Sequence, residues 1–219
     1  MTLQISKDPE LNGVVKLGLL YITQVSVRSH IPELAAELQV LAETYRQKYR
    51  SPNEALDQLH PTRWLYRQIG IDPTKNRPSS EALLRRALKG QPFYYINSIV
   101  DVCNLCSLKL LLSLGLYDVG KIVGPIRVRM GRDSEGYDGI RKDFIHVGGR
   151  LVCADDLGPF GNPSADSART MVTLATTQVL FVIFAPALYS AEQLQHALDY
   201  LESTVKRFHA CKIERKWFL

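Results

Sequence analysis

Residues 17–27, LGLLYITQVSV, are aliphatic or β-branched almost without interruption and contain no proline, a pattern that predicts a buried strand. After Pro32, the positions Leu34, Leu38, Leu41 and Tyr45 return at helical spacing with charged residues between them. An amphipathic helix is therefore expected there, ending near residues 51–53. A second helix is expected over 62–68, stopped by Gly70, with Asp72, Pro73, Thr74 and Pro78 marking a turn-rich connection. Ser79 or Ser80 is expected to cap the next helix, because a hydroxyl there satisfies free N–H groups of the first turn, and Gly90 closes it. Residues 96–112 are helical in pattern again and carry Asn97, Asp101 and Asn104 among Ile99, Val100, Leu105 and Leu108.

The rhythm changes in the second half. Residues 126–130, 144–147 and 151–154 are short, alternating and separated by glycines, which predicts antiparallel strands joined by tight turns. Residues 171–185 are rich in Thr, Val, Ile and Phe and predict one or two central strands. Ser190 and Gln193 form a capping-box pair ahead of an apolar stripe, Leu194, Ala197, Leu198, Leu201, Val205 and Phe208, so a packed helix follows. Helices gathered early and strands gathered late predict an α+β fold with a mixed or antiparallel sheet core flanked by helices, in one domain over residues 1–219.

Composition narrows the class. With 46% hydrophobic and 22% charged residues the chain can bury a core and keep a wetted surface, which excludes disordered and fibrous classes. The sequence contains no uncharged apolar run long enough for a membrane span and no secretory pattern at its start, so a cytoplasmic protein is expected. Its four cysteines are read as reduced thiols, and no metal or cofactor is expected. A net charge of +5 favours anionic partners. Arg63, Arg67, Lys75, Arg77, Arg85, Arg86 and Lys89 face only Asp72 and Glu81, the footprint of phosphate contacts or else a solvated helical face.

The densest polar and glycine-rich segment is 158–170, GPFGNPSADSART, and the candidate site is placed there. Gly158 and Gly161 permit positive φ or close approach of a ligand, while Pro159 and Pro163 stiffen the segment. Phe160, Asn162, Ser164, Ser167, Arg169 and Thr170 line the expected pocket, with Asp166 suited to an α-amino group and Arg169 to a phosphate or carboxylate. The alternative is an ordinary connection whose polar side chains cap turns.

The segments 77–83, Asn97 with Val100, Asp101 and Asn104, Tyr117-Asp118, 121–129, 151–155 and this loop follow one another as in a known domain. Their order resembles the editing domain of the phenylalanyl-tRNA synthetase beta subunit, and more closely the solitary proteins of that family. The resemblance spans about residues 62–186, leaving the N-terminal strand and helix and the C-terminal helix outside it. It implies a pocket that admits an amino acid wrongly esterified to tRNA and lets water cleave the ester. Asp166 falls at an acidic position of that pocket, and Asn97, Asp101 and Asn104 at polar positions of its helical motif. Arg63, Arg67, Arg77, Arg85, Arg86 and Lys89 are the expected tRNA contacts. One departure stands out: Gly115 occupies the place where the synthetase motif carries a histidine. Hydrolysis would then depend on a water held by Asp166, with backbone N–H groups meeting the oxyanion.

Other signals carry less. Cys103 and Cys106 form a CxxC inside a predicted helix with no second ligand pair, and His146 lies in a predicted strand. Trp64 and Tyr66 are expected in the core, with stacking on unpaired tRNA bases as the alternative, and Lys206, Arg207, Lys212, Arg215 and Lys216 are read as a solvated helix end or else an extension of the phosphate track. The leading expectation is a tRNA-interacting protein that deacylates mischarged tRNA in trans. The alternatives are an RNA-binding module without chemistry and a free amino-acid or metabolite binder. DNA and membranes are not expected partners, and the oligomeric state is open.

Overall fold

The computed structural model describes residues 3–49, 51–141 and 143–219. Among the described residues, two larger sheets, a two-stranded ribbon and six α-helices form an α+β structure whose middle layer is the pair of apolar segments read from the sequence. Strand β2 (Val15–Thr23) lies between β10 (Gln178–Pro186) and β11 (Lys212–Phe218), and β10 also pairs with β3 (Ser113–Asp118); all three pairings are antiparallel. Alternation divides the central strands between two cores. Leu17, Leu19, Leu180, Val182 and Phe184 face the second sheet, whereas Leu20, Ile22, Phe181 and Ile183 face the helices. Burial on both faces explains why these strands read as nearly continuous apolar runs.

The helical side is built from α1 (Pro32–Lys48), α2 (Pro52–Asp57), α4 (Ser79–Leu88), α5 (Ser98–Leu110) and α6 (Ala191–Phe208). The Ser190–Gln193 capping box forms as expected. On the other side stands the second sheet, in the order β1 (Ile5–Lys7), β4 (Ile126–Met130), β7 (Leu151–Asp155), β8 (Gly158–Asn162) and β9 (Ala165–Asp166). Only its β1–β4 pair is parallel. Helix α3 (His60–Gln68) packs Leu65 and Tyr66 into the core between the sheets, and a ribbon of β5 (Gly136–Asp138) and β6 (Phe144–His146) lies beside it.

Several expectations need correction. Residues 171–177 are not strand: Thr173 and Thr176 satisfy a local turn, with Thr176 Oγ1 donating to Asp118 Oδ2 at 2.6 Å. Neither Ser79 nor Ser80 caps α4; Pro78 holds the N-cap position, and both hydroxyls are buried without a partner among the described residues. The C-terminal cations do not continue a helix. Residues 212–218 form edge strand β11, where Lys216 bonds both Asp199 and Glu202, while Lys206 pairs with Glu202 and Arg207 with Glu37. No helix among the described residues is long and apolar enough to cross a membrane.

Candidate functional site

The polar segment forms a β-hairpin rather than an open loop. Gly158, at φ +111°, turns the chain out of β7, and β8 and β9 pair through Gly161–Asp166 and Asn162–Ala165. Asn162 Oδ1 accepts from the N–H groups of Ser164 and Ala165, at 2.8 and 3.0 Å, which fixes the turn. Those two amides are therefore committed to the turn, so any oxyanion donor from this loop would be another backbone N–H.

Against this turn lies a cavity of about 290 Å³, walled by Lys75, Arg77, Arg150, Asn162, Ser164 and Ala165, with Ile71, Asn76 and Ile145 completing it. Glycine packing brings the walls together. Gly70 ends α3 at φ +75°, and a Cβ there would stand 1.9 Å from the Gly149 carbonyl oxygen, so only glycine lets this helix end dock on the β6–β7 turn. Leu151 N–H donates to Ile69 O across the same contact. Asp72 then bonds Thr74 and directs Lys75 and Arg77 toward the hairpin. None of Lys75, Arg77 and Arg150 forms an ion pair among the described residues, and Ser164 Oγ meets no hydrogen-bond partner among them. Three cations beside a polar turn suit an anionic, oxygen-rich ligand.

The opposite face of the hairpin carries Asp166, which is half-buried. Asp166 alternates with Ala165 along β9, and its charge reaches Tyr66, Cys103, Tyr117, Tyr137 and Cys153. Tyr117, fully buried, packs edge-on against Phe160 with ring centroids 4.9 Å apart. Its phenol lies over two glycines: a Cβ on Gly115 would come 2.3 Å from Tyr117 Oη, and one on Gly161 would come 2.5 Å from the same atom. The space beside Gly115 is thus filled by the phenol from two residues further along. Tyr117 Oη makes no well-formed hydrogen bond among the described residues, and burial, then the Asp166 charge, hold its pKa well above the ordinary value.

Other expected site residues serve the fold. Phe160 is core; Ser167 and Thr170 are buried and bond each other; Arg169 forms a two-bond pair with Asp155, both contacts at 2.8 Å. Asn97 caps α5 by accepting from Val100 N–H. Asp101, whose pKa burial raises, accepts from Ile96 N–H, and Asn104 is half-buried on the next turn. Cys103 and Cys106 are buried, and burial pushes the Cys106 thiol up to about 12, so neither is a thiolate at neutral pH. His146 stacks edge-on with Phe144 on β6, Tyr66 packs in the core, and half-buried Trp64 packs against it.

The basic stretch is also partly consumed. Glu81 is fully buried and takes two bonds from Arg63, at 2.6 and 2.7 Å, and one from Arg85 at 2.7 Å. Arg86 donates to Pro92 O and covers Tyr94, whereas Arg67, Arg77 and Lys89 are exposed. Burial by itself would raise the Glu81 carboxyl, but hydrogen bonds from Arg63 and then Arg85 outweigh it and lower the pKa. Because the folded value lies below the unfolded one, this stabilisation is present above the unfolded pKa and is lost as pH falls through the folded one. Glu81→Gln is expected to cost about 2 kcal/mol near neutrality. That is less than a fully buried pair, since the two guanidinium groups keep 27% and 32% exposure. Urea denaturation at neutral pH and at roughly pH 3 checks this, with the parent's advantage shrinking in acid.

The family model described as B3/4 domain matches residues 62–208, about two thirds of the sequence. The chain belongs to the B3/4 domain family. The match takes in α6, which lay outside the span of the resemblance read from sequence. A solved structure of similar fold is an N-terminal fragment of the phenylalanyl-tRNA synthetase beta subunit from Pyrococcus horikoshii. It aligns over 100% of this chain and 54% of that one at 12% identity with a TM-score of 0.51. This B3/4 protein therefore spans about half the length of that fragment. A comparison with curated proteins returned no match. Within the B3/4 frame, Arg150 is a charged cavity residue that the sequence did not single out, because its approach depends on the Gly70–Gly149 contact.

Proposed function

We propose that this B3/4 domain binds the aminoacylated end of a tRNA in the β8–β9 cavity and hydrolyses a wrongly attached amino acid in trans. The cavity carries the proposal: three unpaired cations meet against a turn fixed by its own asparagine. Lys75, Arg77 and Arg150 are assigned to phosphate oxygens. Asp166, on the other face of β9 from the cavity-lining Ala165, is assigned to holding the attacking water where the ester reaches past the hairpin to that face. The test is deacylation of a panel of mischarged tRNAs; an unchanged rate across the whole panel removes the catalytic half of the proposal.

The packing of Tyr117 over Gly115, and its contact with the Asp166 charge, favour a second reading in which the domain binds tRNA without chemistry. Both readings share one expectation. Arg77→Ala and Arg150→Ala each weaken tRNA binding by about tenfold at low salt and each lower the slope of log affinity against log salt by about 1. Titration by fluorescence anisotropy at several salt concentrations checks it, and unchanged slopes place the RNA elsewhere.

A further inference from the structure

The cavity lies near the N-terminal end of α4. At the other end, one ten-residue helix or roughly 15 Å away, the chain runs without regular structure from residue 91 to 97 and presents an aromatic ledge. Tyr94 is 70% exposed, Tyr95 38% and Ile96 56%, an unusual concentration for side chains of this size. Both rings are held in place. Arg86 covers one side of Tyr94, its guanidinium carbon 4.2 Å from the ring centroid, while donating to Pro92 O. Tyr95 accepts a hydrogen bond from Gln39 Nε2 at 3.2 Å and meets His30 edge-on at 5.3 Å. The surroundings are mainly cationic: Lys89 and Arg28 are exposed, Arg28 while donating to Phe208 O, and of the three acids on neighbouring α1 Glu43 is engaged by Arg46 and Glu37 by Arg207, leaving Glu33 exposed in its first turn.

From this geometry we infer that Tyr94 and Tyr95 stack unpaired nucleotides of an RNA strand whose end lies in the β8–β9 cavity. The inference rests on the tRNA reading above and adds a second contact region to it. Charge decides the occupant. An apolar protein face would gain nothing from the surrounding cations, whereas an RNA strand offers a flat base to each ring and a phosphate to Lys89 and Arg28. Because stacking does not require particular base edges, the ledge holds the strand without reading its sequence.

The experiment compares two RNA hairpins of the same stem, one blunt and one with a short unpaired 3′ overhang carrying 2-aminopurine. The parent protein is expected to bind the overhang form about tenfold more tightly and to quench its fluorescence. Tyr94→Ala and Tyr95→Ala are expected to remove that preference and the quenching, while binding to the blunt stem stays within about twofold. Both side chains are surface-exposed, so circular dichroism is expected to show both variants folded. If the variants keep the overhang preference, or if the parent binds both hairpins equally, the ledge proposal is overturned while the RNA reading stands. Failure to bind either hairpin overturns both. Sedimentation supplies a further arm: concentration-dependent self-association that Tyr94→Ala abolishes would make the ledge a protein contact and overturn the proposal.

Discussion

Replacing Asp166 with asparagine is expected to slow deacylation of a susceptible mischarged tRNA by about 10²–10⁴-fold while leaving tRNA affinity within about twofold. The carboxylate is the acid of the β8–β9 hairpin, and its neighbour Ala165 lines the cavity. Asparagine keeps the shape and removes the charge needed to orient water. Affinity should persist because phosphate binding is assigned to Lys75, Arg77 and Arg150, all outside the hairpin's acidic face. Single-turnover rates at saturating protein separate the two quantities. Should Asp166→Asn deacylate as fast as the parent, the carboxylate is not the water-holding group. Should neither protein deacylate anything, the binding-only reading stands.

The largest structural effect is expected at Tyr117. Tyr117→Ala should cost about 3–5 kcal/mol, the range for emptying a buried aromatic site. Gly161→Ala should cost about 1–3 kcal/mol, because the new methyl group enters the phenol's volume. The combination is the informative measurement. With the ring gone, the alanine at position 161 fills vacated space, so the double variant should be no less stable than Tyr117→Ala alone. A coupling energy near zero in that double-mutant cycle would show that the ring does not depend on the glycine.

Much of this architecture was legible because its signals are local or two-sided. Strands β2 and β10 bury both faces, so their hydrophobicity is written continuously along the chain, and the Ser190–Gln193 box is complete within four residues. The elements that escaped notice depend on distant partners. Three-residue β1 becomes a strand only by lying parallel to β4, and β11 hides its pairing with β2 behind the charges of an edge strand. The site divides in the same way. Glycine, asparagine and proline announced the β8–β9 turn, but not that Arg150 would face it or that Asn97 would be spent on capping α5. Counting cations along the chain also overstated the free charge, since Glu81 draws Arg63 and Arg85 into one buried network.

The overlap of Tyr117 with the space above Gly115 constrains the order in which this sequence can change. A bulky imidazole at position 115 has no room while the phenol is present, so a variant acquiring it first would pass through a damaged intermediate. Trimming residue 117 beforehand opens a different route, in which the second substitution repairs the first. Either single step is therefore costly, since emptying the phenol's site costs about 3–5 kcal/mol, and libraries that vary the two positions together will reach sequences that stepwise selection does not.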